Sequence, residues 1–362
     1  TSNTDGTGLK GFNRDNRFGD PLEILPVTIS TITDASFLIV NNTPGGNPAR
    51  IKYIIYRGDV KILEYNEGTS TLVGQANADG AIAVGAARFD KAPPYLATPL
   101  IESFSSIGGT KTEGTVRRKP DVVAPDGVNT TVKLGQDYPN NALDGYSNFF
   151  GTSAAAPHAA AVAALIMEGK KKFLNQGVSL STPDQIRSLL QLTAVDMETA
   201  NNLSATDKFD YISGYGLVNA DSAMRTFAAP TATLIEVVVP PAVVPCSGVP
   251  FTISITGENF SRNTVVYLIN APGDSIRIIP NFISSSEVSV TISSCVGNPE
   301  IKAYTPPKDG TNGTDGGFSN SKYFFSAAIT ITANDVSKKY GETLAALSTT
   351  IKVDGVLLQN TN

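Results

Sequence analysis

Gly151-Thr152-Ser153-Ala154-Ala155-Ala156-Pro157-His158 is the stretch on which the reading of this chain turns. A serine that attacks a carbonyl must stand on a tight turn, open to its substrate, with hydrogen-bond donors aimed where negative charge develops. Gly151 permits such a turn because it lacks a Cβ. Ser153 then falls at the start of a helix, where backbone N–H groups lack intrahelical partners and the dipole is positive; both favour an oxyanion. Pro157 is expected within the first turn, where its missing N–H matters little. The small residues Ala154–Ala164 let the helix pass close to a sheet. The same residues also describe a buried alanine-rich helix with a serine near its cap, and residue types alone do not separate the two.

Outward from this stretch, Ser153–Met167 is almost unbroken in small and apolar residues, so the helix is expected to be buried on every side. Ala81–Ala87 is a continuous apolar run, as in a buried strand of a parallel sheet. Thr182–Ala194 predicts an amphipathic helix. Thr182 caps it, Pro183 suits its first position and Gln185 completes a capping-box spacing, with Ile186, Leu189, Leu190 and Thr193 along one face. Residues 69–226 thus read as α/β. Residues 1–68 read as polar turns with β-prone runs at Ser36–Val40 and Ile51–Tyr56.

Beyond the proline-rich Ala228–Pro245, a linker or entry strand, the pattern becomes all-β. Phe251, Ile253 and Ile255 alternate with polar residues, as do Val288, Val290 and Ile292, which is the signature of half-buried sandwich strands. Residues 230–326 have the size of one immunoglobulin-like sandwich. Residues 327–362 begin a further β module and are too few to bury a stable core alone. The only two cysteines, Cys246 and Cys295, both fall in the sandwich, and read either as one disulfide or as two buried thiols.

The 28 Lys and Arg against 33 Asp and Glu leave a net charge of −5, and the basic clusters Arg117–Lys119 and Lys170–Lys172 are short, so no nucleic-acid footprint is expected. The most apolar stretch, Leu234–Pro245, is interrupted by Pro240 and Pro241 and falls short of the ~18 apolar residues a membrane span needs. The chain opens on Thr1 and ends soon after a strand-like run at Thr350–Leu358, so both ends read as cut from a longer protein.

Gly151–His158 is similar to the serine motif of subtilisin-like serine proteases. Further matches follow in that family's order: Ala81-Ile82-Ala83-Val84-Gly85-Ala86, Ser103-Phe104-Ser105-Ser106 with Gly108 and Gly109, Lys119-Pro120-Asp121-Val122-Val123-Ala124-Pro125, and Ser213-Gly214-Tyr215-Gly216-Leu217-Val218-Asn219-Ala220. The resemblance covers residues 69–226. It implies acyl transfer by a Ser-His-Asp triad acting on a protein or peptide substrate, with Ser153 as nucleophile. The Ser153 backbone N–H would be one oxyanion donor, and Gly151, Thr152 and Pro157 would support the nucleophile turn. The chain departs from the family elsewhere. Its single histidine, His158, aligns with a structural histidine inside the serine motif. No His-Gly-Thr motif is present, Asp5-Gly6-Thr7 has the wrong order for the catalytic aspartate, and the surroundings of Asn41 and Asn42 do not match the oxyanion asparagine. The first half of the catalytic domain, with the walls that set cleavage specificity, is therefore expected upstream of Thr1. The chain by itself is expected to be inactive, with an unpaired sheet edge and exposed core.

Residues 1–68 resemble the trailing part of a β-rich insertion found in some bacterial subtilases, through Gly19–Glu23 and Arg50–Gly58. Residues 230–326 resemble an IPT/TIG-type immunoglobulin-like domain, through Gly257-Glu258-Asn259-Phe260 and Phe318-Ser319-Asn320. Residues 329–341 resemble the start of an MBG-type bacterial repeat. The expected fold is therefore multidomain: an α/β subtilisin-like catalytic half with a parallel sheet and helices, an all-β sandwich and a partial β module. These modules imply a secreted or cell-surface bacterial protein with surface glycan or protein contacts, and an exported chain favours the Cys246–Cys295 bridge. No cofactor is identified. Structural calcium is left open, because no Asp-rich loop matches a known site. Asp121 and Asp126 read as strand-end and turn residues, and Asp196, Asp207 and Asp210 as solvated loop carboxylates. The competing function is a non-catalytic surface or adhesion protein built on a degenerate protease scaffold.

Overall fold

The computed structural model describes residues 2–3, 36–37, 52–55, 62–66, 68–112, 114–133, 137, 144–174, 181–197, 208–325, 329–334, 336–343, 349–353 and 356–357. The chain divides into two compact units, Thr1–Tyr65 and Asn66–Asn362. In the first, β1 (Ser2–Asn3) pairs antiparallel with β2 (Ser36–Phe37). Residues 52–55 form no strand, although Ile51–Tyr56 was β-prone in sequence. Asp5-Gly6-Thr7, Gly19–Glu23, Asn41, Asn42 and Asp207 lie outside the described residues.

In the second unit, β3 (Val84–Arg88) lies parallel to a strand reached through the hairpin of β4 (Lys111–Thr112) and β5 (Thr115–Val116). That strand is β6 (Val122–Asp126), and the register runs from Val84↔Val122 to Arg88↔Asp126. Regular strand begins at Val84, not at Ala81. Ala83 instead turns its groups on Asp121: its carbonyl accepts the Asp121 N–H at 2.8 Å and its N–H donates to Asp121 Oδ2 at 2.7 Å. On the far side of β6, Leu217 makes isolated bridges to Val123 and to Val195, extending the row of paired backbone. On the outer side of β3, Ala86 donates to Ser105 Oγ and accepts from the Glu102 N–H. The Phe-Ser-Ser turn therefore satisfies the Ala86 backbone groups on that side of β3.

The chain then forms an antiparallel pair, β7 (Val128–Thr130) with β8 (Ser147–Phe149), followed by α1 (Thr152–Leu174), α2 (Pro183–Thr193) and α3 (Ala220–Arg225). The α1 helix is longer than expected and is not buried on every side. Ala155, Ala159 and Ile166 face the sheet, whereas Ala156, Ala160, Ala161, Ala164 and Leu165 are exposed. An alanine-rich composition carries no amphipathic pattern from which this sidedness could be read. The buried side packs with Val122 of β6 and with Ala223 and Phe227 at α3. The α2 helix shows the expected capping box, with Thr182 accepting from Gln185 N–H and Gln185 returning a bond to the Thr182 N–H. Asn219 caps α3 by accepting from Ser222 N–H.

Eight strands follow: β9 (Thr233–Val238), β10 (Phe251–Glu258), β11 (Val265–Ala271), β12 (Asp274–Ile278), β13 (Asn281–Ser284), β14 (Glu287–Ile292), β15 (Glu300–Thr305) and β16 (Gly317–Phe318). They form two four-stranded antiparallel sheets, ordered β13-β14-β10-β9 and β12-β11-β15-β16. Ile253, Ile255, Val288, Val290 and Ile292 of the first share one core with Val266, Leu268, Ile301 and Ala303 of the second. Cys246 and Cys295 are joined by a disulfide with Cα atoms 4.8 Å apart, just outside the β10–β14 pair. A last sheet comprises β17 (Ile329–Ala333), β18 (Thr349–Val353) and β19 (Val356–Leu357). Among the described residues no helix is long and apolar enough to cross a membrane.

Candidate active site

Two polar cradles lie at the two ends of β6, and the one at its C-terminal end holds the Ser153 turn. Lys119 and Asp121 build the deeper one. Lys119 Nζ donates to Asp121 Oδ2 at 2.7 Å and to the Ala81 carbonyl, and Gln191 Nε2 donates to Asp121 Oδ1 at 3.0 Å. Both side chains are almost wholly buried, so the pair is stable because the charges and lone pairs find partners. Asp121 thus ties the start of β6 to residues before β3 and to α2. Gly108 sits so close to this segment that a Cβ would fall 1.7 Å from the Lys119 carbonyl oxygen.

The nearer cradle is made by the end of β6 and the β7–β8 pair. Gly127 N–H donates to the Phe149 carbonyl at 2.8 Å, and Asn148 Nδ2 donates to the Gly127 carbonyl at 2.8 Å and to Asn129 Oδ1 at 3.0 Å. These bonds bring Phe150 and Gly151 alongside Asp126. The Gly151 N–H donates to Asp126 Oδ2 at 2.8 Å, and the Gly151 carbonyl accepts the N–H groups of Ala154 and Ala155 at 2.9 and 3.2 Å. Gly151 has φ 110°, a conformation that a residue with a Cβ rarely adopts. Ser153 follows in the first turn of α1 and is exposed, while Ala154 and Ala155 beneath it are buried. Its N–H belongs to the first helical turn, where no intrahelical acceptor exists.

Asp126 is the group that sequence reasoning underrated. It is the last residue of β6, at the strand end, and it is fully buried. Its Oδ1 is buried with no hydrogen-bond partner. Burial raises its pKa above the ordinary carboxylate value; the Gly151 hydrogen bond and Arg88 oppose this, and Glu102 and Asp90 reinforce it. Asp210 also departs from the sequence reading. It is buried rather than solvated, and accepts from the N–H groups of Ile212 and Ser213 and from Ser213 Oγ. The Asp-x-x-Ser spacing of 210–213 was the available signal, since Asp side chains commonly close such turns on the following backbone.

Pro157 stands in the second turn of α1, one turn later than expected. With no N–H to give, it leaves the Ser153 carbonyl without its i+4 donor, and its ring is exposed. His158 Nδ1 lies 2.8 Å from the Ala154 carbonyl, a contact within the helix. Five residues along a helix is a rotation of about 140°, so His158 stands on a different face from Ser153. Among the described residues no group of three or more His, Cys, Asp or Glu could hold a metal ion, and none is assigned to calcium.

An exposed serine at the N-terminus of a helix laid on parallel strands is the arrangement a serine nucleophile requires. Residues 41–216 match the model of the subtilase family. The match begins before residue 69 and so includes part of the segment that sequence reading assigned to an insertion. The chain is 41% identical over 106 residues to alkaline elastase YaB of a Bacillus species, covering 29% of this chain and 21% of that protein. It is 28% identical over 182 residues to fervidolysin of Fervidobacterium pennivorans, covering 50% of this chain and 19% of that protein. The chain thus spans about a fifth of the length of these relatives.

Proposed function

We propose that residues up to 226 are the C-terminal part of the catalytic domain of a subtilisin-type serine endopeptidase, with Ser153 as nucleophile. The observation that carries this reading is the presentation of Ser153: exposed, in the first turn of α1, on a left-handed glycine turn tied to β6. The hydroxyl attacks the scissile carbonyl, and the Ser153 N–H stabilises the oxyanion that forms. The general base and the carboxylate that orients it come from outside this chain on this reading, because His158 is engaged within its own helix. Protein or peptide is the substrate class. Residues 230–326 act as an IPT/TIG-like sandwich and residues 327–362 as the start of an MBG-type module, spacing the protease or docking it to surface glycan or protein. The Cys246–Cys295 bridge supports export to an oxidising compartment.

The 362-residue chain alone is expected to leave casein uncut, whereas a longer product of the same gene carrying His and Asp motifs cuts it and loses that activity with Ser153→Ala. Efficient cleavage by the chain alone, abolished by Ser153→Ala, would overturn the divided triad. The second reading, a surface protein on a degenerate scaffold, draws on the single histidine being unavailable to Ser153. It is supported instead if the complete gene product lacks a His-Gly-Thr motif and is inert.

A further inference from the structure

Asp126 is joined to the nucleophile turn by one hydrogen bond, from the Gly151 N–H. Its Oδ2 accepts the Gly151 N–H, and its Oδ1 is buried without a partner. A buried carboxylate with one idle oxygen is costly unless the bond it does make matters. That bond fixes the peptide unit entering Gly151, whose carbonyl in turn accepts from Ala154 and Ala155 and so sets the first turn of α1. We propose that Asp126 is the positioning residue of Ser153, a buried carboxylate that grips the Gly151 N–H and so holds the turn presenting the Ser153 hydroxyl and N–H. Its bearing on catalysis rests on the protease reading, but the grip itself does not.

The groups around Asp126 give the grip a pH dependence. Arg88 faces it across the β3–β6 register, with Asp90 in the turn that follows β3, Glu102 in the segment that bonds Ala86, and the Gly151 N–H on the helix side. Burial comes first among the influences and raises the pKa. The carboxyl therefore stays protonated to a higher pH than an unperturbed aspartate. A neutral carboxyl oxygen accepts about half as strongly as an ionised one. The Gly151 bond tightens as pH rises through the raised pKa and loosens below it.

The test follows the Gly151 amide in the 15N-labelled 362-residue chain from about pH 3.5 to about pH 8, a range that spans ordinary carboxylate titration. The Gly151 amide proton is expected to move downfield with a midpoint above the usual aspartate value. Asp126→Asn keeps an acceptor oxygen but should abolish the titration. Asp126→Ala should speed Gly151 amide exchange roughly tenfold, the loss expected for one buried hydrogen bond. A Gly151 amide that is flat in the parent, or that titrates unchanged in Asp126→Asn, overturns the proposal. So does exchange within about twofold of the parent in a folded Asp126→Ala chain. If Asp126→Ala does not fold, the Asp126→Asn titration decides. An inert full-length gene product with the titration intact would reject the protease and leave the grip standing.

Discussion

At the scale of single residues, much of the site is made by atoms that are absent. Gly108, Gly151 and Gly216 each stand where a side chain would collide or be strained. A Cβ at Gly216 would lie 2.1 Å from the Val195 carbonyl oxygen, and the residue has φ 109°. At Gly108 the obstacle is the Lys119 carbonyl, a backbone group fixed by the buried Lys119–Asp121 pair. Gly108→Ala is therefore expected to lower unfolding stability by more than about 3 kcal/mol, beyond the usual range of point mutations. A denaturant midpoint close to the parent's would show that the 119–121 segment yields more easily than its hydrogen bonds indicate. Asp126 and Asp210 teach the converse lesson. Asp210 read as a solvated loop carboxylate and is buried where two backbone N–H groups converge on it, and Asp126, read as a strand-end or turn residue, is buried with the single Gly151 N–H on it.

At the scale of elements, legibility followed periodicity. The α2 helix could be placed to within a residue at its start because its cap, its proline and its apolar face agree. The alternation of β10 and β14 was equally plain, and the two strands pair from Phe251↔Ile292 to Thr256↔Glu287. The α1 helix was recognisable as a helix, but neither its length nor its exposed side could be read. Alanine satisfies both burial and exposure, and the helix runs past Met167 through the basic cluster Lys170–Lys172 to Leu174. The capping box supplies a test at this scale. Thr182→Ala removes the acceptor for the Gln185 N–H and should cost about 1 kcal/mol. The loss should appear as faster amide exchange in the first turn of α2, and a variant as stable as the parent would mean that the cap contributes nothing measurable.

At the scale of the whole second unit, the α/β region and the β-sandwich are joined by a polar contact around Ala229. Asp315 Oδ2 accepts the Ala229 N–H at 2.5 Å and the Lys308 N–H at 3.2 Å, and Thr311 Oγ1 donates to Oδ1. Gly316 N–H donates to the Ala229 carbonyl, Arg225 reaches Asn259 Oδ1, and Lys308 Nζ bonds the Arg225 carbonyl. Burial acts to raise the pKa of Asp315, but the hydrogen bonds from Thr311, Ala229 and Lys308 outweigh it and hold the pKa low. A carboxylate with a depressed pKa contributes stability above its unfolded value of 3.8 and loses it as pH falls through the folded value. The joint should therefore hold through the neutral range and loosen only in acid below about pH 3.8. Asp315→Asn should loosen it at neutral pH and make little difference in acid, where the parent carboxyl is itself protonated. Limited proteolysis between residues 226 and 233 reads this directly, and equal resistance of parent and variant at neutral pH would remove Asp315 as the lock.

The linear chain was enough to locate the exposed serine turn, the parallel strand pair, the amphipathic helix and the alternating strands. Each of these is written in local chemistry: a glycine where a turn needs one, a cap three residues before its partner, a side-chain period of two. Packing settled everything that depends on residues far apart in sequence. Asp126 finds Gly151 across 25 residues, Asp121 finds Gln191 across 70, and Asp315 finds Ala229 across 86. Whether such a carboxylate is solvated or buried is decided by which backbone N–H groups the fold delivers to it. A single aspartate in a sequence carries no mark of the partners that folding will bring.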